Sequence, residues 1–119
     1  MDISLKGKEQ GMNDDKIVDL YWIRSEDAIT ETSIKYGKYC YGIAYNILAD
    51  AEDAEESVND TYFDAWNTMP PHRPSALSAF LGKLTRRISI DRWRKRSAAK
   101  RGGELAAALD ELNECVPSH

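Results

Sequence analysis

Cationic and aromatic side chains share one stretch of the sequence, and together they could bind nucleic acid. Residues 83–101 contain nine Lys or Arg and a single acid, Asp91, which gives a local charge of +8. Guanidinium and ammonium groups neutralise phosphates, and an exposed Trp can stack on an unpaired base. At roughly 100° per residue, one helical face would carry Lys83, Arg86, Arg87, Ile90, Trp93 and Arg94. Such a face is suited to binding single-stranded or melted DNA, although the charge run alone favours a simpler interpretation. The simpler interpretation of the charge run alone is a solvated basic face, with Trp93 and Ile90 packed on a neighbouring helix.

A second cluster has the opposite charge. Residues 50–64 contain seven acids and no Lys or Arg. Carboxylates are favourable at the beginning of a helix, so capping and solvation could explain some of them. A carboxylate metal site in a bundle would need Glu-x-x-His pairs on facing helices, which neither His72 nor His119 can supply. We therefore expect no metal or other cofactor, and a metal-dependent nuclease is the less favoured alternative.

Composition restricts the remaining classes of function. The net charge of −4 averages the two clusters, and 119 residues with 42% hydrophobic side chains suffice for one small domain. No apolar run reaches the roughly 18 residues of a membrane span, and the first ten residues lack the apolar core of a secretion signal, so we expect a cytoplasmic protein. Cys40 and Cys115 are too few for a disulfide framework or a zinc site, and no nucleophile has a placeable His base. We predict that the chain is not an enzyme.

Four helices are predicted to position these residues, so the expected fold class is all-α, a compact bundle of about four helices. Their candidate N-terminal caps are Asp14 or Asp15, Ser25, Asp50 and Ser75. The second, third and fourth helices should end near Leu48, Thr68 and Ala98, and the three prolines in residues 70–74 require a loop before the fourth. The inward stripe of the second helix should include Ala28, Ile34, Tyr36, Cys40 and Ala44, and that of the fourth Leu77, Phe80, Leu81, Leu84 and Ile88.

The expected domain organisation is simple. Residues 1–13 should form a disordered leader, residues 14–101 one helical domain, and residues 102–119 a flexible tail that begins with Gly102-Gly103.

Two sequence motifs occur in a fixed order on this helical pattern. Residues 53–66 read DAEESVNDTYFDAW, and after the proline-rich loop residues 80–96 read FLGKLTRRISIDRWRKR. In this order the two motifs resemble region 2 of the sigma-70 family, specifically its extracytoplasmic-function group, and the resemblance extends over about residues 14–101. It departs from the family where Asn59 replaces a usual Gln, Ser57 an apolar residue and Arg87 a frequent Asn. No helix-turn-helix follows Gly103, so we expect a truncated chain or an unusual single-domain member.

The resemblance implies a sigma factor domain that binds core RNA polymerase and recognises and melts the −10 promoter element. The acidic helix would dock on the coiled coil of the largest polymerase subunit through Asp53, Glu56, Asn59 and Asp60. The basic helix would contact promoter DNA, especially the non-template strand, through Lys83, Arg86, Arg87, Ile90, Trp93, Arg94 and Arg96, with Lys83 and Arg96 on phosphates. A base flipped from that strand would be captured by the loop of Pro70, Pro71, His72, Arg73, Pro74 and Ser75.

The resemblance also allows an anti-sigma factor as a partner. The alternative is a helical protein–protein interaction module whose basic end binds an acidic protein rather than DNA. Internal ion pairs from Arg86, Arg87 or Arg94 to residues 53–60 would contradict the expectation of two free binding surfaces.

Overall fold

The computed structural model describes residues 12–111, with side chains described for residues 12–99. Its helices are α1 (Asp14–Trp22), α2 (Asp27–Leu48), α3 (Ala51–Thr68) and α4 (Leu77–Glu111). The part of the chain that is described contains no strand, and the predicted all-α bundle of four helices is confirmed. Residues 1–11 of the predicted leader and residues 112–119 of the predicted tail, which include Cys115, lie outside the described residues.

Polar residues next to the helices fix where α1 and α3 begin. The side chain of Asp50 accepts a hydrogen bond from the backbone N–H of Asp53 at 2.8 Å, so Asp50 caps α3 as predicted. The cap of α1 is Asn13, whose Oδ1 accepts from the backbone N–H of Asp15 at 2.8 Å. Asp14 and Asp15 were expected as caps, and they stand instead in the first turn, where the helix dipole favours carboxylates.

The other two helices differ more from expectation. Ser25 Oγ accepts from the backbone N–H of Asp27 at 3.2 Å, although Glu26 is the residue that flanks α2. Helix α4 begins at Leu77, two residues after Ser75, and continues through Gly102-Gly103 to Glu111, so its predicted end near residue 98 is wrong. Two glycines cost about 2 kcal/mol of helix propensity, and the Ala-, Leu- and Glu-rich sequence after them offsets that cost.

Helices α2, α3 and α4 pack against one another around one core, and α1 packs mainly against α2. Met12 packs against this core and Asn13 caps α1, so these two residues of the predicted leader belong to the helical unit. Ile34 was expected to face inward and is 56% exposed. The core consists of Ile17, Val18, Tyr21, Ala28, Cys40, Ala44, Ala54, Val58, Tyr62, Ala65, Met69, Leu77, Leu81 and Leu84.

A row of small hydroxyl side chains fills the contact between α3 and α4. Ser57, Thr61, Thr85 and Ser89 are fully buried, and the Oγ1 atoms of Thr61 and Thr85 lie 3.0 Å apart in a hydrogen bond. Because Thr85 and Ser89 of α4 face α3, Arg86 and Arg87 between them point toward solvent. None of the described helices has the length and hydropathy needed to cross a membrane.

Candidate nucleic-acid interface

The predicted basic face lies on the outer side of α4. Thr85 and Ser89 fix the inner side of this helix, and the residues that follow each of them point away from the core. Trp93 is 44% exposed, so part of its side chain contacts the protein and part of it faces solvent. Ile90 is half-buried and the cationic members are exposed; the face consists of Lys83, Arg86, Arg87, Ile90, Trp93 and Arg94.

The cations of this outer face are largely unpaired. Nη2 of Arg87 lies 3.7 Å from Oδ2 of Asp64, and both side chains are substantially exposed. Lys83, Arg86 and Arg94 take part in none of the ion pairs found within residues 12–99. Within that part of the chain, Arg86, Arg87 and Arg94 form no ion pair with residues 53–60. Such pairs would have contradicted the expectation of two free binding surfaces.

Arg96 stands apart from the other predicted DNA-binding residues. Its Nη1 donates to Oδ2 of Asp53 at 2.6 Å, and its Nη2 donates to the backbone carbonyl of Leu48 at 2.9 Å. At about 100° per residue, Arg96 lies roughly 200° around the helix from Arg94. The structure therefore places Arg96 against the beginning of α3 and not on the outer face of α4.

Arg92 makes a second connection between α4 and the acidic helix. Its Nη1 donates to Glu56 and its Nη2 to Asp60, both at 2.8 Å, and its Nε donates to the buried Oγ of Ser57 at 3.1 Å. Three of the four predicted polymerase-binding residues, Asp53, Glu56 and Asp60, are thus paired with arginines of α4, while the fourth, Asn59, is exposed. Arg92 was part of the predicted basic run but was not predicted as a site residue.

The predicted loop runs from the end of α3 to the beginning of α4 and borders the basic face. An open cavity of about 380 Å³ lies beside it, lined by His72, Arg73, Pro74, Ser75, Ala76, Ala79, Phe80 and Lys83. The rings of His72 and Phe80 are tilted toward each other, with 5.1 Å between their centroids. Pro70 and Pro71 belong to the loop but do not line the cavity. Lys83 belongs both to the cavity wall and to the basic face, so the two predicted DNA-contacting regions are continuous.

Helix α1 holds this loop through contacts that the sequence pattern did not predict. Nε1 of Trp22 donates to the backbone carbonyl of His72 at 3.1 Å, and Arg73 forms an ion pair with Asp19. Arg24, directly after α1, donates to backbone carbonyls at the end of α3. No local pattern identifies these contacts, because the residues are about fifty positions apart in the chain.

The groups with shifted titration lie in the core or, like the half-buried Tyr36 that is bonded to Asp14, beside it, and not at this interface. Burial raises the pKa of Tyr21 to about 12, and it also raises the pKa of Tyr62 and of the Cys40 thiol. These groups are therefore neutral at pH 7. Among the described residues, no three His, Cys, Asp or Glu side chains are placed to hold a metal ion.

Comparison with known proteins assigns the family. Neither the comparison with curated proteins nor that with solved structures gave a significant match. The family model "Sigma-70 region 2" matches residues 25–99, which include α2, α3, the loop and the outer face of α4, but not α1. Region 2 of these factors binds core RNA polymerase and recognises the −10 promoter element, a regulatory and not an enzymatic role. With more than half of its length matched, the chain belongs to the sigma-70 family and carries its region 2 domain.

Proposed function

We propose that this chain docks on core RNA polymerase through α3 and holds the melted −10 element against the outer face of α4 and the loop before it. The observation that carries the proposal is the continuity of the exposed cations of α4 with the loop cavity through Lys83. A single strand could follow this path without a break. Membership of the extracytoplasmic-function group and the masking of either surface by an anti-sigma factor stay predictions.

Cations on the outer face would supply most of the affinity for DNA. Each phosphate neutralised on a single strand releases counterions and contributes about 0.7 to the slope of log affinity against log salt concentration. The pair between Arg87 and Asp64 is long and exposed, and such pairs contribute about 0–1 kcal/mol, so a phosphate can replace Asp64. The half-exposed ring of Trp93 offers a surface on which a base can stack, worth roughly 1–3 kcal/mol per base.

The loop cavity is suited to an unstacked base. Extruding a base from a duplex costs a few kcal/mol, which stacking and edge contacts must offset. The tilted rings of His72 and Phe80 provide apolar surface, and Arg73, Ser75 and Lys83 provide donors at the rim. We expect this cavity, rather than the two prolines that begin the loop, to receive a base of the non-template strand.

The outward part of the acidic helix would contact the coiled coil of the largest polymerase subunit. The side chains of Glu56 and Asp60 are 64% and 54% exposed even while paired with Arg92, so each keeps surface for a second cation. Asp53 is only 26% exposed and is held by Arg96, so its contribution to docking would be the smallest. Asn59, exposed on the same helix, completes the proposed surface.

The DNA interface can be tested by anisotropy titrations of fluorescent single strands selected by this chain from a randomised pool. Arg86→Ala and Arg94→Ala should each weaken binding and reduce the salt slope by about 0.7. Lys38→Ala removes an exposed cation from α2, a helix outside the proposed path, and should leave the slope unchanged. Equal effects of Lys38→Ala and Arg86→Ala would show that binding depends only on net charge and would contradict a defined DNA path.

The polymerase interface can be tested by capture of purified core RNA polymerase on the immobilised chain. Glu56→Gln and Asn59→Ala should reduce capture without reducing affinity for single-stranded DNA, and Asn46→Ala on α2 is the matched control. Asp53→Ala is a poorer probe, because it also releases Arg96. Loss of DNA binding and of capture in every variant would argue against two separate surfaces.

Two alternatives predict different results in these assays. A helical interaction module would bind an acidic protein tightly and would bind single strands weakly, without dependence on salt. A metal-dependent nuclease would cleave the strands on addition of Mg²⁺, and Asp53→Ala with Glu56→Ala would abolish the cleavage.

A further inference from the structure

Arg24 ties the end of α1 to the end of α3, where the loop begins. Its Nη1 donates to the backbone carbonyl of Met69 at 2.6 Å and to that of Trp66 at 2.9 Å. The guanidinium also stacks on the ring of Trp66, 3.9 Å from its centroid. In a longer helix the carbonyl of Trp66 would accept from the residue four positions later, but that residue is Pro70, which has no N–H. Arg24 therefore supplies the donor that the proline lacks.

The backbone of Arg24 has a strained conformation at the point where α1 ends. Its φ is 59°, in the left-handed region that residues other than glycine seldom adopt. Its N–H donates to the carbonyl of Tyr21 at 3.0 Å, which closes the last turn of α1. Glycine would form the same turn without strain. Strain of this kind persists where the surrounding contacts determine the conformation and is concentrated at functional sites.

Two further contacts hold the loop from the same side. The Nε1–H of Trp22 donates to the carbonyl of His72, and Asp19 forms an ion pair with Arg73, whose guanidinium lies 5.8 Å from the ring centroid of Trp22. His72 and Arg73 are the loop residues that begin the cavity wall. All three holding residues precede residue 25, where the family match begins.

The geometry points to Arg24, supported by Trp22, as the positioning residue of the base-capture loop. This inference rests on the proposed function. Arg24 contacts carbonyls at the start of the loop and not the cavity itself, so it acts through the loop. It fixes the last turn of α3 and thereby the direction in which the loop leaves it. A loop held in place before DNA arrives does not lose its conformational entropy on binding, so base capture is stronger and more selective.

The test uses the full chain and the selected single strand, compared with strands that carry one abasic site at each position in turn. The wild type should show one position where the intact base is strongly preferred. Arg24→Gly, which keeps the turn and removes the side chain, should reduce that preference by at least about tenfold, because it removes two hydrogen bonds from a charged group and the loss of one corresponds to roughly a factor of ten. The salt slope should not change. Arg86→Ala is the converse control, because it should reduce the salt slope and keep the base preference.

Hydrogen exchange provides a readout that does not depend on DNA. The amides of Met69 and His72 donate to the carbonyls of Ala65 and Thr68 at 3.0 Å, so their protection reports on the end of α3 and on the loop. In Arg24→Gly these two amides should exchange about tenfold faster, while the Ala54 amide at the beginning of α3 keeps its protection.

The outcomes separate the inference from the proposed function. If the wild type discriminates against one abasic site and Arg24→Gly discriminates equally well, the inference is wrong and the function stands, whatever the exchange rates are. If the wild type binds no single strand, the proposed function fails and the inference fails with it. Should Arg24→Gly not fold, Trp22→Phe removes only the bond to His72. It should lower the same preference by a smaller factor, and an unchanged preference would overturn the inference.

Discussion

The connection between α3 and α4 should depend more on one buried hydroxyl than on two exposed carboxylates. Arg92 reaches three side chains of α3, namely Glu56, Asp60 and Ser57. The substitution Arg92→Met keeps an unbranched apolar side chain and removes all three polar contacts. The expected result is a lower free energy of unfolding, and the contacts allow its size and its origin to be worked out.

The two kinds of contact differ in strength because they differ in exposure. Glu56 and Asp60 are more than half exposed, and exposed ion pairs contribute about 0.2–1 kcal/mol each. Ser57 is fully buried, and a hydrogen bond between a charged group and such a hydroxyl contributes about 1.5–3 kcal/mol, part of it the cost of leaving the hydroxyl unsatisfied. Arg92→Met should therefore cost about 3 kcal/mol, of which roughly two thirds comes from Ser57.

Urea unfolding at low and high salt can separate these contributions. The double variant with Glu56→Gln and Asp60→Asn should lose about 1 kcal/mol at 0.1 M NaCl and almost nothing at 1 M, where the Debye length is about 3 Å. Arg92→Met should keep about 2 kcal/mol of its loss at 1 M NaCl, because salt does not screen a contact with a buried neutral hydroxyl. A double-mutant cycle of Arg92→Met with Ser57→Ala gives the coupling energy directly.

The opposite outcome is a carboxylate variant that loses as much stability as Arg92→Met, with both losses disappearing in 1 M NaCl. In that case the carboxylates, and not Ser57, would hold α4 against α3. A coupling energy near zero between Arg92 and Ser57 would lead to the same conclusion.

Three other predictions concern the core and α2. Gly42→Ala should raise the free energy of unfolding by about 1 kcal/mol in urea titrations, because a Cβ there meets no atom within 4 Å and alanine favours the helix; an unchanged value would contradict a helical site. Burial raises the pKa of Tyr21 to about 12 from its ordinary value of 10.0, so the neutral phenol stabilises the fold below pH 10 and that contribution is lost as the pH rises through 12. Between pH 9 and 11 the wild type should therefore lose about 1.4 kcal/mol more than Tyr21→Phe, and equal losses would show that Tyr21 does not couple to unfolding. In a Cys115→Ser background, Cys40 should react with a disulfide reagent only as fast as the fold opens, since the thiol is fully buried and its pKa is raised; rapid labelling of the native protein would contradict this burial.

Local rules predict most of the fold, because they act over a few residues. Asp50 and the acids that follow it predict the beginning of a helix, and Asp50 does cap α3. The prolines separate α3 from α4, since they exclude helical geometry before them and remove backbone donors. The outer face of α4 also follows from the helical period. The buried residues recur every three or four positions on one side of the helix, and the cations recur at the same spacing on the other side.

The contacts between helices could not be predicted from charge alone. The acids of α3 and the arginines of α4 are clusters of opposite sign in the sequence, and charge suggested two separate surfaces. The structure joins part of each cluster, because Arg92 and Arg96 fall at helical steps from the buried Thr85 and Ser89. Treating small hydroxyl residues as inward positions would have placed both arginines against α3.

Among the described side chains of α4, Arg92 and Arg96 therefore form an inner row, and Arg86, Arg87 and Arg94 form an outer row. Arg92 and Arg96 bind Asp53, Glu56 and Asp60, so three negative charges beside the helix are reduced to a net of −1. The outer row lies about one helix diameter away, roughly 10 Å, which is close to the Debye length at 0.1 M salt. Without the inner row, the full charge of the acidic helix would repel a DNA strand on the outer row at low salt. Within a chain of net charge −4, these ion pairs would allow the proposed docking surface and the proposed DNA-binding surface to occupy adjacent helices.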